Sequence, residues 1–369
     1  MRAIVYLIGA GPGAPDLILL RGHRCLQKAD VVIFDHLVHP DLLAVAPQHA
    51  ERIDVGPAAP EPRDQDAICY LLAEKAREGK IVARLKWGDP FLFDQGGEEA
   101  LFLHEQGVQF EVVPGVPHAI GATSYAGVPI TYPGAGDTVT FVRGHERGGR
   151  EKARIDWTAL ATLDGTIVSY VGPQQMTAMI TALVDHGRSP DEPAAIILHG
   201  TSSAQQTITG TLAQLSELLR ESPVGAGLLV IGEVVNFREH VRWFDSRPLF
   251  GRRALVMHAK DHPDDVGELL QSQGAEIISD TDPNVDIYRL LLDRNIDLVT
   301  FTSASAVLNF AANFGADQAA DLLAHTVVAV QGPAAADAAT RANITPAVST
   351  PPGSALSFVE AIVAKFRAN

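Results

Sequence analysis

Asp35 closes the apolar run "DVVIFD", and His36 follows it. A carboxylate at the end of a strand points to the crevice where α/β sheets take their ligands, and there it can accept a proton. The same residue could cap the segment that follows. A second acid, Asp89, stands in "RLKWGDPFLF", Arg84 to Phe93. Gly-Asp-Pro after a strand makes a sharp, rigid turn. Its Gly88 main chain could hydrogen-bond a polar ligand, or Asp89 could simply cap a loop. A third stretch, "GAGPG" from Gly9 to Gly13, lets the chain turn tightly and a ligand approach the backbone. Its spacing is not G-x-G-x-x-G, and Pro12 lacks an N–H, so it is no dinucleotide fingerprint.

These groups need a scaffold, and the apolar periodicity supplies one. "IVYLIGAG", "DVVIFD", "KIVARLKWG" and "VQFEVVPG" read as strands. Between them "LILLRGHRCLQKA", "DAICYLLAEKAREG" and "GGEEALFLHEQG" read as helices, the last two closed by Gly79 and Gly107. This β-α-β order predicts a mostly parallel sheet covered by helices. Pro and Gly then cluster in "VPITYPGAG", and a new series begins with "DTVTFVRG", "GTIVSYVG", "AAIILHG" and "GLLVIGEVV". We read 1–125 and 126–246 as two α/β halves with a ligand cleft between them. "DSRPLFGRR" reads as a linker, and 250–369 as a small, doubly wound α/β domain.

Of the 369 residues, 46% are hydrophobic and 20% charged, a soluble globular composition. The net charge of −15 argues against nucleic-acid partners. It also requires that an anionic substrate be met by a local cluster of cations. Cys25 and Cys69 form no C-x-x-C and no metal spacing, which points to a reducing, cytoplasmic setting without a metal. "MRAIVYLIGAGPG" reads as a first strand and not a leader, and no apolar run is long enough for a membrane span.

The ordered blocks "VYLIGAGPGAPDLILLRG", "ADVVIFDHLV", "RLKWGDPFLFDQGGEEALFL", "FEVVPGV", "YAGVPIT" and "VIGEVV" closely resemble the tetrapyrrole methylase family over residues 3–246. Within it they look like the uroporphyrinogen-III C-methyltransferases. The resemblance implies two α/β domains with S-adenosylmethionine in the cleft between them, leaving as S-adenosylhomocysteine. It implies methylation of uroporphyrinogen III at C2 and C7 to precorrin-2, the precursor of sirohaem and cobalamin, by a homodimer. Carried over position by position, Asp35 matches the proton acceptor. Pro12, Trp87, Gly88, Asp89, Leu92, Pro117, His118, Val171, Gly200 and Gly227 match cofactor-binding positions. An eight-carboxylate substrate asks for nearby cations. Arg84, Lys86, Arg143 and His145 are the candidates, with Arg21 and Arg24 further ones by position.

The chain departs from the family pattern in four places. The usual Gly-Gly-Asp begins with Trp87, which cannot cheaply take a positive φ, so this position should have ordinary geometry. Its ring could stack on adenine or cover the tetrapyrrole. Pro57 replaces an expected lysine, "PGVPHA" replaces "PGITSA", and "ITYP" replaces "LTHR". The altered rim leaves room for methylation of another tetrapyrrole precursor, and the lost lysine for a non-catalytic ligand-binding protein. The segment from about 249 resembles uroporphyrinogen-III synthase without its inserted second domain. "GRRALVMHAK" looks like the first strand, and "DIYRLLLDRNIDLVTFTSASAVLNF" with "TVVAVQGPAAADAA" like the closing third. Thr302, Ser303 and Ser305 could bind a carboxylate there, but ring closure is not expected from one lobe.

Overall fold

The computed structural model describes residues 3–144, 155–222, 224–257, 265–279 and 285–368. The chain divides into two units, 1–242 and 243–369. The expected boundary at 246 therefore falls a few residues inside the second unit.

The first unit begins with β1 (Ile4–Gly9), α1 (Leu20–Leu26), β2 (Val31–Phe34), α2 (Pro40–Val45) and β3 (Glu51–Asp54). α3 (Gln65–Arg77), β4 (Ile81–Lys86), α4 (Gly96–Glu105), β5 (Phe110–Val113) and α5 (His118–Tyr125) follow. The five strands form one parallel sheet in the order β3-β2-β4-β1-β5. Alternation along the strands sorts side chains to two faces. Val5, Leu7, Val31, Ile33 and Val82 meet α3 and α4, while Ile8, Val32, Ala83 and Leu85 meet α1 and α2. Arg84 and Lys86 follow Val82 at steps of two, so they face the α3–α4 layer. Two cations on the apolar face of a central strand need counter-charges.

The rest of the unit comprises β6 (Val139–Arg143), α6 (Trp157–Thr162), β7 (Thr166–Val171), α7 (Pro173–Asp185) and β8 (Pro193–Leu198). β9 (Gln206–Thr211), α8 (Leu212–Glu221), β10 (Gly227–Ile231) and α9 (Arg238–Val241) complete it. Here the sheet is mixed. The order is β6-β7-β10-β8-β9, and only β6 and β7 pair parallel. The reason lies in chain length: 199–205 between β8 and β9 is too short for a parallel crossover, so the strands turn back on each other. β9, with a largely half-exposed pattern, lacked the apolar run by which the other strands could be read.

The second unit contains β11 (Arg253–Met257), α10 (Asp265–Ser272), β12 (Glu276–Ser279), α11 (Ile287–Leu292), β13 (Leu298–Phe301) and α12 (Ala304–Phe314). α13 (Ala316–Leu322), β14 (Val327–Gln331), α14 (Pro333–Arg341), β15 (Val348–Thr350) and α15 (Ala355–Arg367) close it. Its strands are all parallel in the order β12-β11-β13-β14-β15, the doubly wound pattern. The "linker" reading needs correction, because Leu249 is fully buried in this unit's core and its N–H donates to Gln273 O.

Candidate active site

A cavity of about 270 Å³ opens at the carboxyl ends of β2 and β4. Asp35, Arg84, Lys86, Trp87, Pro117 and His118 line it, with Tyr170 reaching in from β7. Gly88, Asp89 and Leu92 lie on the same wall, as do His36 and Pro57. The positions singled out around Asp35 and "WGDPFL" therefore converge on one space.

The wall is held by a buried charge network. Arg84 Nη2 donates to Asp35 Oδ1 at 2.7 Å, and Arg84 Nε to Glu99 Oε1 at 3.1 Å. Lys86 Nζ donates to the same Glu99 oxygen at 2.9 Å and lies 3.4 Å from Asp94 Oδ1. Gln65 Nε2 adds a third donor to Glu99 Oε1 at 3.3 Å. Arg84, Lys86 and Glu99 are at most 1% exposed, whereas Asp35 keeps 24% of its side chain open. Burial alone would lower the Arg84 pKa, but Glu99 and Asp35 push it above its ordinary value, so the guanidinium stays charged. Glu99 Oε2 is buried without a hydrogen-bond partner. Its cost is offset by two cations on the other oxygen.

This network changes the reading of Arg84 and Lys86. As direct contacts for substrate carboxylates they would need free donor faces. They are instead enclosed and matched to carboxylates of the chain itself. Asp35 does not act as the helix cap: α2 starts behind His39, whose Nδ1 accepts from Asp41 N. Its partner comes from β4, which no local rule could show.

The Gly-Asp turn also differs from expectation. Gly88 takes φ +73°, a conformation suited to glycine, but its main chain is not free. Gly88 N donates to Gly11 O at 2.8 Å, and Gly11 N returns a bond to Gly88 O at 3.3 Å. Asp89 braces the turn by accepting from Phe91 N at 2.8 Å and Gly115 N at 3.0 Å. A Cβ on Gly115 would lie 2.1 Å from Gly88 O, so the two loops cross at a distance only glycine permits. Trp87 takes ordinary geometry, as required: the positive φ falls on the next residue.

The Trp87 ring lies against the His118 imidazole, with centroids 4.2 Å apart and planes tilted by 38°. His118 Nδ1 is 3.0 Å from Pro12 O, and the carbonyl can only accept, so this nitrogen carries the proton. Burial lowers the His118 pKa to about 4, against the opposing pull of that hydrogen bond, and the ring is neutral at pH 7. Tyr170 Oη accepts from Ala119 N at 3.0 Å, and burial raises its pKa to about 12. Phe93 meets Tyr170 edge-on, with centroids 5.5 Å apart.

The remaining expected positions divide. Pro12 joins the site through its carbonyl and by packing on Gly121. Gly200 packs on Ala122, and a Cβ there would stand 3.3 Å from His118 Cε1. Val171 and Gly227 pair across β7 and β10, outside the cavity wall, where a Cβ on Gly227 would meet Ile197 O at 2.5 Å. Arg143 ends β6 beside Tyr170 but does not line the cavity, and His145 lies outside the described residues. Arg21 is on the surface in a bidentate pair with Glu111, and Arg24 is exposed on α1. Sequence reasoning missed Glu99, Gln65, Asp94 and Tyr170. Glu99 carried one signal: it lies four residues before the buried Leu103 and so on the apolar face of α4.

The comparisons with known proteins agree with this architecture. The family model "Tetrapyrrole (Corrin/Porphyrin) Methylases" matches residues 4–216. The chain belongs to this family. Residues 244–355 match the model of uroporphyrinogen-III synthase HemD. "Siroheme synthase 1" of Yersinia pseudotuberculosis is 46% identical over 245 residues, which cover 66% of this chain and 51% of that protein. "Uroporphyrinogen-III C-methyltransferase" of Bacillus subtilis is 35% identical over 318 residues, covering 84% of this chain and 65% of its own length. The chain thus spans about half the length of the first curated relatives it matches. Among solved structures, the uroporphyrin-III C-methyltransferase of Thermus thermophilus complexed with S-adenosyl homocysteine is 36% identical. It aligns at a TM-score of 0.55 over 64% of this chain and 99% of its own. A cobalt precorrin-4 methyltransferase aligns at a TM-score of 0.57 with 28% identity, over 63% of this chain and 96% of its own.

Proposed function

We propose that this tetrapyrrole methylase transfers methyl groups from S-adenosylmethionine to C2 and C7 of uroporphyrinogen III, giving precorrin-2. The carrying observation is Asp35: a partly open carboxylate at a strand end, held by a buried arginine, in the wall of a cavity. The donor set suits the cofactor. Trp87, Phe93 and Tyr170 offer ring faces for a purine and for a cation, and Asp35 and Asp89 give the cavity a negative bias. Trp87, Pro117 and His118 are the residues that would hold it. When bound, the cofactor supplies a methyl group on positively charged sulfur, already activated for displacement.

The protein's own part is alignment, exclusion of water and removal of one proton. The aromatic wall and Pro57 exclude water around the acceptor carbon. Asp35 takes the proton that the macrocycle loses on methylation. Arg84 keeps Asp35 in one orientation and stabilises it as the acceptor form. Arg84 and Lys86 act in this reading as internal counter-charges, not as contacts for the substrate's own carboxylates. Because the base directly follows β2 and does not stand in the 56–64 loop, the proline at 57 in place of a lysine does not remove it.

The second unit in this reading forms no type III ring closure. The single five-stranded sheet of this unit, packed between two apolar clusters, supports that view. The reading includes a cytoplasmic homodimer, which light scattering on the full chain checks for oligomeric state. Among the described residues no helix is long and apolar enough to cross a membrane. The deciding experiment is anaerobic incubation with uroporphyrinogen III and S-adenosylmethionine, followed by product mass. Addition of two methyl groups is expected. Methylation of a later precorrin alone would redirect the substrate, and transfer to neither would remove the catalytic reading. Conversion of hydroxymethylbilane to the type III isomer would overturn the view of the second unit.

A further inference from the structure

His118 touches three loops that are far apart in sequence. Its Nδ1–H donates to Pro12 O in the glycine-rich loop. Its ring face lies on Trp87 at the start of the Gly-Asp turn. Its Cε1 stands against the Gly200 turn, where a Cβ would come within 3.3 Å. The Gly200 turn is tied to the glycine-rich loop a second time, because Ala14 N donates to Thr201 Oγ1 at 3.0 Å. His118 is 7% exposed and is among the residues that line the cavity. With the proton on Nδ1, Nε2 is left as a hydrogen-bond acceptor, and among the described residues it has no partner.

A small residue at either position would break this arrangement. Without Trp87 the imidazole loses a ring face and can rotate away from Pro12. Without His118 the indole has nothing behind it. The two positions are also the ones where the chain departs from the glycine of Gly-Gly-Asp and the serine of "PGITSA". The structure shows that these departures are in contact.

We infer that Trp87 and His118 act as one positioning unit, which locks the three loops around the adenosyl cofactor and presents Nε2 as an acceptor to an N–H or O–H group of that ligand. This rests on the proposed cofactor reading and adds to it. An aromatic pair takes the place of small residues, so each partner is useful only with the other.

The test is a double-mutant cycle read by calorimetric binding of S-adenosylhomocysteine to the full chain. Wild type, Trp87→Ala, His118→Ala and the double variant are compared, each with its unfolding midpoint in urea. Each single change should weaken binding by about tenfold, and the double variant should be no weaker than the poorer single one. Independent contributions would instead multiply to about a hundredfold and overturn the unit. Two conservative variants separate positioning from packing. His118→Asn keeps a donor for Pro12 O without the ring, and His118→Phe keeps the ring without the donor. The inference requires both to bind weakly while His118→Phe unfolds near the wild-type midpoint. If affinity is unchanged in either, or follows the unfolding midpoint across all variants, the pair is packing only. Failure of the wild-type protein to bind the ligand would defeat the cofactor reading itself. The coupling in urea unfolding would then still report whether the two side chains act together.

Discussion

The first sheet of unit one and the sheet of unit two are both parallel, five-stranded and covered by helices, yet they invest differently at their carboxyl ends. At the first, a buried lysine and arginine share a buried glutamate, glycine backbones cross where a Cβ would not fit, and rings enclose a cavity. At the second, the strand end of β13 carries hydroxyls that serve the fold. Ser303 Oγ lies 2.9 Å from Ser305 Oγ and accepts from Ala306 N as the cap of α12. Among the described residues of unit two, Thr300 is the polar residue buried as a whole, and of the charged residues only single atoms such as Arg253 Nε and Asp245 Oδ1 are shielded from solvent. The lesson concerns cost. Buried ions and close backbone crossings destabilise a fold unless every partner is present, so a site that holds them is organised for more than folding.

Removing Glu99 should break the comparison most severely. Glu99→Ala leaves Arg84 and Lys86 buried with half their counter-charge gone, a loss of about 3–5 kcal/mol. Hydrogen exchange should show lost protection confined to the first unit. Equal loss in both units would mean that the network does not stabilise one unit alone.

Acid should expose the next difference. The folded His118 pKa of about 4 lies below the unfolded value of 6.5, so the unfolded chain takes up the proton first as pH falls. Stability from this group is complete above 6.5, declines between 6.5 and about 4, and falls no further below that. The full difference is about 3 kcal/mol at most. Urea unfolding at successive pH values should show the decline in wild type and a flatter curve in His118→Asn. The same slope in both would assign the acid sensitivity elsewhere.

Asp35→Asn sharpens the comparison through chemistry. The amide keeps an acceptor for Arg84 but cannot take a proton, and methyl transfer should fall by about a hundredfold or more. Binding of S-adenosylhomocysteine should be retained. An active Asn variant would leave the proton to another group of the cavity.

The smallest effect belongs to unit two. Ser303→Ala removes the α12 cap, so local stability should drop by about 1 kcal/mol in hydrogen exchange while methyl transfer stays unchanged. A change in methyl transfer would tie the second unit to the reaction of the first.

The sequence by itself determined a great deal here. Apolar runs and terminal glycines marked most strands and helices, because a central strand buried on both faces of its sheet demands continuous apolar residues. Asp35, the glycine-rich loop and "WGDPFL" could be named because a turn with restricted geometry leaves a local signature. Edge strands such as Glu51–Asp54 and Gln206–Thr211 were not legible, since half-exposed residues carry no such run. Only the tertiary structure decided what the named residues do. Arg84 and Lys86 became internal counter-charges because Glu99, on a separate helix, faces them across the core. Asp35 became an oriented carboxylate because Arg84 stands on the neighbouring strand. Trp87 and His118, read separately as departures, became one contact. Secondary structure responds to neighbours along the chain, whereas ion pairs and ring contacts depend on distances in space, and those distances are set only when strands and helices pack.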